Sequence, residues 1–250
     1  METRKKIALI TGANRGLGFE IARQLGKKQI KVLIGARNVT AGEAATNRLI
    51  AEGIDAIFFL LDITQADSIS NTAKLVTEKF GYLDILVNNA ACLPKATDAG
   101  SPSQVGKQLL LDFLETNLLA QISVTQSFLP LIRQSTAGRI VNMSSTIGSV
   151  TISGEHLHQN GPKPPRIPYA VSKAAFNMFT VLLAKELRSE GIKVNSADPG
   201  LTQTDAGGPN APYTVEQGAR PAVWLSCLDD NGPTGCFFTH VDNHVVNNPW

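Results

Sequence analysis

Six short, continuously apolar runs recur along the chain: KIALIT (residues 6 to 11), KVLIGA (31 to 36), AIFFLL (56 to 61), LDILVNNA (83 to 90), GRIVNMSS (138 to 145) and IKVNSA (192 to 197). A strand with one wet face alternates polar and apolar residues, whereas a strand covered on both faces does not. Such runs therefore predict the strands of a parallel sheet. Between them lie amphipathic stretches of helical length, at 17 to 28, 40 to 52, 65 to 80, 108 to 133, 169 to 190 and 214 to 227. Unbroken alternation of strand and helix defines an α/β chain, with a doubly wound parallel sheet and helices on both faces. A seventh short strand is expected around Gly235 to Phe238. With neither repeat nor linker, residues 1 to 250 read as a single domain, large enough to bury a core on each side of the sheet.

Composition narrows the function classes. The net charge of +2 is too small to suggest nucleic acid, and the run Arg4-Lys5-Lys6 reads as a solvated N-terminus. Cys92, Cys227 and Cys236 show no CxxC spacing, which argues against a zinc site or a disulfide framework and fits a reducing compartment. His156 and His158 stand two apart in a loop without a third ligand nearby, so no metal is expected. No apolar run approaches a membrane span, and no leader is visible, so the expected location is cytoplasmic.

Two segments break the strand–helix rhythm. Residues 93 to 107 carry Pro, Gly, Asp and Ser; residues 149 to 168, SVTISGEHLHQNGPKPPRIP, hold four prolines and two glycines, which argues against any regular element there. Both follow C-terminal ends of expected strands, the edge where open parallel sheets bind ligands. Residues 92 to 107 and 150 to 167 are therefore the expected substrate-pocket loops.

TGANRGLG (11 to 18) occupies the first strand-to-helix turn. Gly12, Gly16 and Gly18 let the backbone turn sharply against a diphosphate, and the helix behind them offers unpaired N–H groups and a positive dipole end. This is a Rossmann-type nucleotide site. The spacing TGxxxGxG, rather than GxGxxG, resembles the short-chain dehydrogenase/reductase family, and the resemblance extends from residue 6 to about 240. It implies a nicotinamide cofactor held by Gly12, Asn14, Arg15, Gly16, Leu17 and Gly18. A site for NAD usually ends its second strand with an acid for the ribose 2′-hydroxyl. Here that strand ends in IGARN, without a carboxylate; Arg37 stands where a 2′-phosphate would lie, Asn38 follows it, and Arg15 can reach the same group. Guanidinium groups bind phosphate as a bidentate fork, so the expected cofactor is NADP(H). The resemblance also places Asp62 and Ile63 beside the adenine. It puts the backbone of Asn89 and Ala90, within NNAA, beside the adenine ribose; Asn88 reads equally well as a structural hydrogen-bonder between strands.

Tyr169 and Lys173 lie at i and i+4 of a predicted helix and share one face. Pro168 is suited to opening that helix. A free phenol titrates near 10, and a neighbouring ammonium is expected to lower it toward the range of general acid–base catalysis. Alone this pair would be ordinary surface chemistry. The family resemblance gives it company: Ser145, three residues before Gly148, to bind the substrate oxygen, with Ser144 as runner-up; Asn117, to hold a water near Lys173; and Pro199, Gly200, Thr202 and Thr204 beside the nicotinamide end. Asp198 stands where the family more often has Asn or Cys and receives no role. The implied mechanism is hydride transfer to a carbonyl, with Tyr169 as proton donor and Lys173 as both its activator and a ribose ligand.

The ending narrows the resemblance to the NADPH-dependent carbonyl reductases, which share the PGxxxTD run, the EQGA helix start and the GPTGxFF finish seen here. The expected substrate is an aldehyde, ketone or quinone. The alternatives are an NADP-linked alcohol dehydrogenase working oxidatively and a non-catalytic NADP-binding sensor. The segment between Ser145 and Tyr169 is longer than in short family members and shorter than in the mammalian-type carbonyl reductases. Family members are commonly dimers or tetramers built on the helices at 108 to 133 and 169 to 190, but an insertion here can keep the chain monomeric; all three states remain open.

Overall fold

The apolar runs form the strands they predict. In the computed structural model, which describes residues 4–94, 102–155, 166–205, 207–241 and 244–250, they become β1 (Ile7–Thr11), β2 (Lys31–Ala36), β3 (Ala56–Leu60), β4 (Ile85–Asn88), β5 (Arg139–Met143) and β6 (Lys193–Ala197). With β7 (Phe237–Val241) and β8 (His244–Asn248) they make one sheet in the order β3-β2-β1-β4-β5-β6-β7-β8. The first seven strands are parallel. The order reverses between β1 and β4, and that switch point opens a crevice at the C-terminal edge.

Alternate residues of each strand point to opposite faces, and both faces are covered. On one, Ala8 and Ile10 of β1 join Ile21 and Leu25 of α1 (Gly16–Lys27), Leu49 of α2 (Val39–Ala51) and Ala222 of α8 (Val215–Ser226). On the other, Ile7 and Leu9 join Val76 of α3 (Ala66–Phe80), Val124 and Phe128 of α5 (Ala120–Ile132) and Leu183 of α7 (Ile167–Glu186). This two-sided burial is why the strands read as continuous apolar runs.

Four features depart from the sequence expectations. First, the helix expected over 108 to 133 is interrupted. It runs as α4 (Lys107–Leu114), a π-helical turn (Glu115–Leu119) and then α5. Second, residues 149 to 168 are not wholly irregular: Val150–Glu155 forms the short helix α6, because the prolines lie further along, from Pro162. Third, β8 adds an antiparallel edge strand. Its HVVNN sequence is too polar to announce itself, and its pairing with β7 supplies the order. Fourth, the stretch Ile167–Glu190 is long and apolar enough by length and composition to cross a membrane, contrary to expectation. In the fold it is a covering helix of the sheet, with Phe176, Thr180 and Leu183 buried. Pro168 lies in its first turn, as anticipated.

Candidate active site

The ends of β1, β2, β4, β5 and β6 build the crevice. At the end of β1, Gly12 turns with φ 64°, and a Cβ there would come within 2.9 Å of Ala90 Cα. A Cβ on Gly18 would lie 2.5 Å from both Asn89 Nδ2 and Gly12 O. The β1 and β4 loops are thus pressed together where only glycine fits. Thr11 stitches them further: its hydroxyl accepts the N–H groups of Asn89 (2.9 Å) and Ala90 (3.0 Å), while Asn89 Nδ2 donates to Thr11 O (2.8 Å) and Gly12 O (3.2 Å). Behind this turn α1 starts without a side-chain cap, which leaves its first N–H groups for an anion.

The remaining cofactor candidates divide by what already engages them. Arg37 is exposed at the end of β2, and among the described residues no acid pairs with it. Arg15 makes an ion pair with Asp205 across the mouth, at 2.5 Å. Asn38 caps α2, its Oδ1 accepting the Ala41 N–H at 2.8 Å. Asp62 Oδ1 accepts from the N–H and hydroxyl of Thr64, and Ile63 is buried in the core, so its side chain faces away from solvent. Asn14 and Leu17 are partly exposed on the glycine loop. Beyond β6, Gly200 has φ 65°, and a Cβ there would strike the Tyr213 ring at 2.8 Å. Thr202 folds back on this turn, its hydroxyl donating to Pro199 O at 2.9 Å, and Thr204 Oγ1 donates to Thr202 O at 3.3 Å. The glycine cradle, the uncapped α1, the unpaired Arg37 at the β2 end and Arg15, held only by an exposed partner, fit a dinucleotide carrying a 2′-phosphate.

At the catalytic end the expected residues converge. Ser145 and Tyr169 face each other here, the serine hydroxyl close enough to act on the phenol's protonation. Lys173, one helical turn on, is 3% exposed; its Nζ lies 5.6 Å from the Tyr169 ring centroid and donates to Met143 O at 2.7 Å. Gly148 lets the Ser145 turn close against α7, since a Cβ there would lie 2.7 Å from Lys173 Cβ. Phe113 meets the Tyr169 ring edge-on at 6.4 Å.

One expectation needs correction. The neighbouring ammonium does not lower the phenol. Burial, with the Asp198 carboxylate adding to it, pushes Tyr169 well above its ordinary value, and Arg166 and the nearby Ser145 only partly offset this. Lys173 is itself pushed down to about 8 by burial. The Asn117 side chain is engaged by other groups. From the π-turn it binds both backbone groups of Cys92: Oδ1 accepts the N–H at 2.7 Å and Nδ2 donates to the carbonyl at 3.0 Å. Its second amide hydrogen goes to Ser172 Oγ at 3.1 Å. A water on Asn117 is therefore met by Oδ1 or the backbone carbonyl, not by Nδ2.

Asn88 resolves as structural, donating to Thr125 and Asn142 on neighbouring elements (2.9 Å each). Asp198, left without a role by sequence, is buried beside Tyr169 and fastens three segments. Thr11, quoted within the glycine motif, was legible as a neighbour but not as the stitch between loops. Parts of both pocket loops, including His156, His158 and Lys163, lie outside the described residues.

Comparison with known proteins agrees with this geometry. The short chain dehydrogenase family matches residues 6–212, and the chain belongs to it. It is 37% identical to the short-chain dehydrogenase anuI of Penicillium roqueforti, over 98% of each chain. It is 34% identical to carbonyl reductase 1 (NADPH) of Sus scrofa, covering 98% of this chain and 95% of that one. An NADPH-bound carbonyl reductase from chicken fatty liver superposes with a TM-score of 0.79 at 27% identity, over 94% of this chain and 96% of that one.

Proposed function

We propose that this protein is an NADP-dependent short-chain oxidoreductase that reduces a small carbonyl compound, an aldehyde, ketone or quinone, to the alcohol. The observation that carries the reading is the Tyr169–Ser145–Lys173 cluster at the C-terminal edge of the sheet, with its phenol held protonated. The glycine loop and the α1 N-terminus would hold the diphosphate, Arg37 and Arg15 the 2′-phosphate, Asp62 and the backbone of Ile63, Asn89 and Ala90 the adenosine, and the Pro199–Thr204 turn the nicotinamide end. Bound there, NADPH supplies the hydride for the carbonyl carbon.

The side chains manage the oxygen. Ser145 donates a hydrogen bond to it, and Tyr169 delivers its proton as negative charge develops. A phenol is protonated at neutral pH, as a proton donor requires, and burial keeps it so. Lys173 keeps two N–H groups beyond its bond to Met143 O, enough for ribose hydroxyls and for proton resupply. Asn117 holds Cys92 and Ser172 in place around it. Residues 92–94 and 150–155 are among the described parts of the expected pocket loops.

Exposed Leu111, Leu119, Val171, Met178 and Leu182 on α4, the π-turn and α7 support a homodimer through these helices, checked by sedimentation of Met178→Glu against the wild type. Cys92, Cys227 and Cys236 form no disulfide, which supports a cytosolic location. The deciding experiment follows NADPH consumption with a panel of aldehydes, ketones and quinones. Turnover with any of them is the expected result, and a wild type inert to all of them sinks the reading.

A further inference from the structure

We propose that Asp198 is a positioning residue that locks the Ser145 turn to the Pro199–Gly200 turn, and that the last strand fixes this lock through Asn248 and Thr146; the proposal rests on the reductase reading above. Asp198 is 3% exposed at the end of β6. Its Oδ1 accepts the Gly200 N–H at 3.0 Å. Its Oδ2 accepts the Thr239 hydroxyl at 3.2 Å and the Thr146 hydroxyl in a short bond. Its own N–H donates to Phe238 O at 2.7 Å. The three side-chain bonds come from three segments: the turn after β6, strand β7 and the turn after β5.

Thr146 has one hydroxyl proton, and Asp198 takes it. The hydroxyl can then only accept from Asn248, whose Nδ2 lies 3.2 Å away. The direction of the relay is fixed, from Asn248 to Thr146 to Asp198. Nearby contacts hold the same turn to the tail. Ser149 Oγ donates to Pro249 O at 2.9 Å, the Thr151 N–H donates to Trp250 O at 2.8 Å, and Trp250 stacks on Phe237 with centroids 5.6 Å apart. Residues 146 to 151 are thus pinned along the side where Ser145 faces Tyr169.

A buried carboxylate is costly unless its lone pairs are met, and here three donors meet it. What the arrangement gains is placement. Ser145 adjoins Thr146 in sequence, so a slack Thr146 lets the serine hydroxyl drift from the phenol it must work beside. The same carboxylate contributes to keeping the Tyr169 proton in place.

The test compares Thr146→Val, Thr146→Ser and Asn248→Ala in the full chain. It reads kcat with the carbonyl panel, NADPH affinity by fluorescence titration and amide hydrogen exchange over residues 145 to 151. Thr146→Val is expected to lower kcat about 10-fold and to leave NADPH affinity within about 2-fold. Exchange across the segment rises. Thr146→Ser keeps the hydroxyl and restores kcat, and Asn248→Ala gives a smaller loss of the same kind. Wild-type kcat with wild-type exchange in Thr146→Val overturns the proposal, and so does an equal loss in Thr146→Ser. A wild type inert to every carbonyl defeats the reductase reading instead, and exchange alone then decides: unchanged in Thr146→Val overturns the lock, raised upholds it.

Discussion

The two halves of the crevice carry their charges in opposite ways. At the cofactor mouth, Arg15 and Asp205 pair at 2.5 Å with side chains 76% and 79% exposed. At the catalytic end, Lys173 and Asp198 are each 3% exposed, and no ion pair joins them among the described contacts. A solvated pair gains little and is easily exchanged for another partner. A buried charge must be satisfied by hydrogen bonds, and it alters the protonation of its neighbours. On the proposed function, affinity is therefore adjusted at the mouth and proton chemistry in the interior.

The sharpest way to break this contrast is at the proposed proton donor. Tyr169→Phe keeps the ring against Phe113 and removes only the hydroxyl, so kcat should fall on the order of 10²- to 10⁴-fold with NADPH binding intact, read by turnover and titration. A loss of cofactor binding of the same size would move Tyr169 from chemistry to binding.

Lys173 tests what burial does. Its folded value of about 8 lies below the ordinary 10.5. Between those limits the unfolded chain holds a proton that the folded chain has lost, so folding stability rises with pH across that window and the penalty is fully present below it. The full difference is about 3 kcal/mol. Urea unfolding should therefore show the wild type gaining on Lys173→Met between pH 8 and 10, even though the variant is inactive. Parallel curves for the two proteins would show that the lysine titrates normally.

Arg37→Asp sharpens the other half. It should weaken NADPH by about 10- to 100-fold, the range of a charge-assisted bond, and leave NADH nearly unchanged. Equal losses would remove the 2′-phosphate from the account. The smallest effect is expected at Asp205→Asn. Freeing Arg15 from its exposed partner should tighten NADPH only about 2- to 5-fold, and added salt should erase the gain.

The same contrast explains what could be read in advance. The strands, the glycine turn, Arg37 and the Tyr169–Lys173 pair are local: adjacent residues or one helical turn specify them. The sign of the Tyr169 shift is not local, because Asp198 reaches the phenol from the end of another strand and burial comes from the whole fold. Sequence placed Lys173 one turn from Tyr169 and still gave it the wrong effect on its neighbour. Asn117 was found as a position, but its partner at Cys92 lies across the crevice, and nothing along the helix announces a π-turn. β8 escaped for a similar reason, since a polar edge strand owes its order to β7. Asp198 was noticed as an oddity, and only its bonds to Thr146, Thr239 and Gly200 give it a purpose.

The π-turn at Glu115–Leu119 also sets a rotational phase. It inserts one residue relative to a regular helix, and each residue of an α-helix turns the chain by about 100°. Deleting one residue there would restore a continuous helix at the cost of that angle. Phe113 would swing off Tyr169, and Asn117 would lose either Cys92 or Ser172. The extra residue is a clocking element: it lets one long helix present its upstream half to the tyrosine and its downstream half to the sheet, two directions that a regular helix of the same length cannot face together.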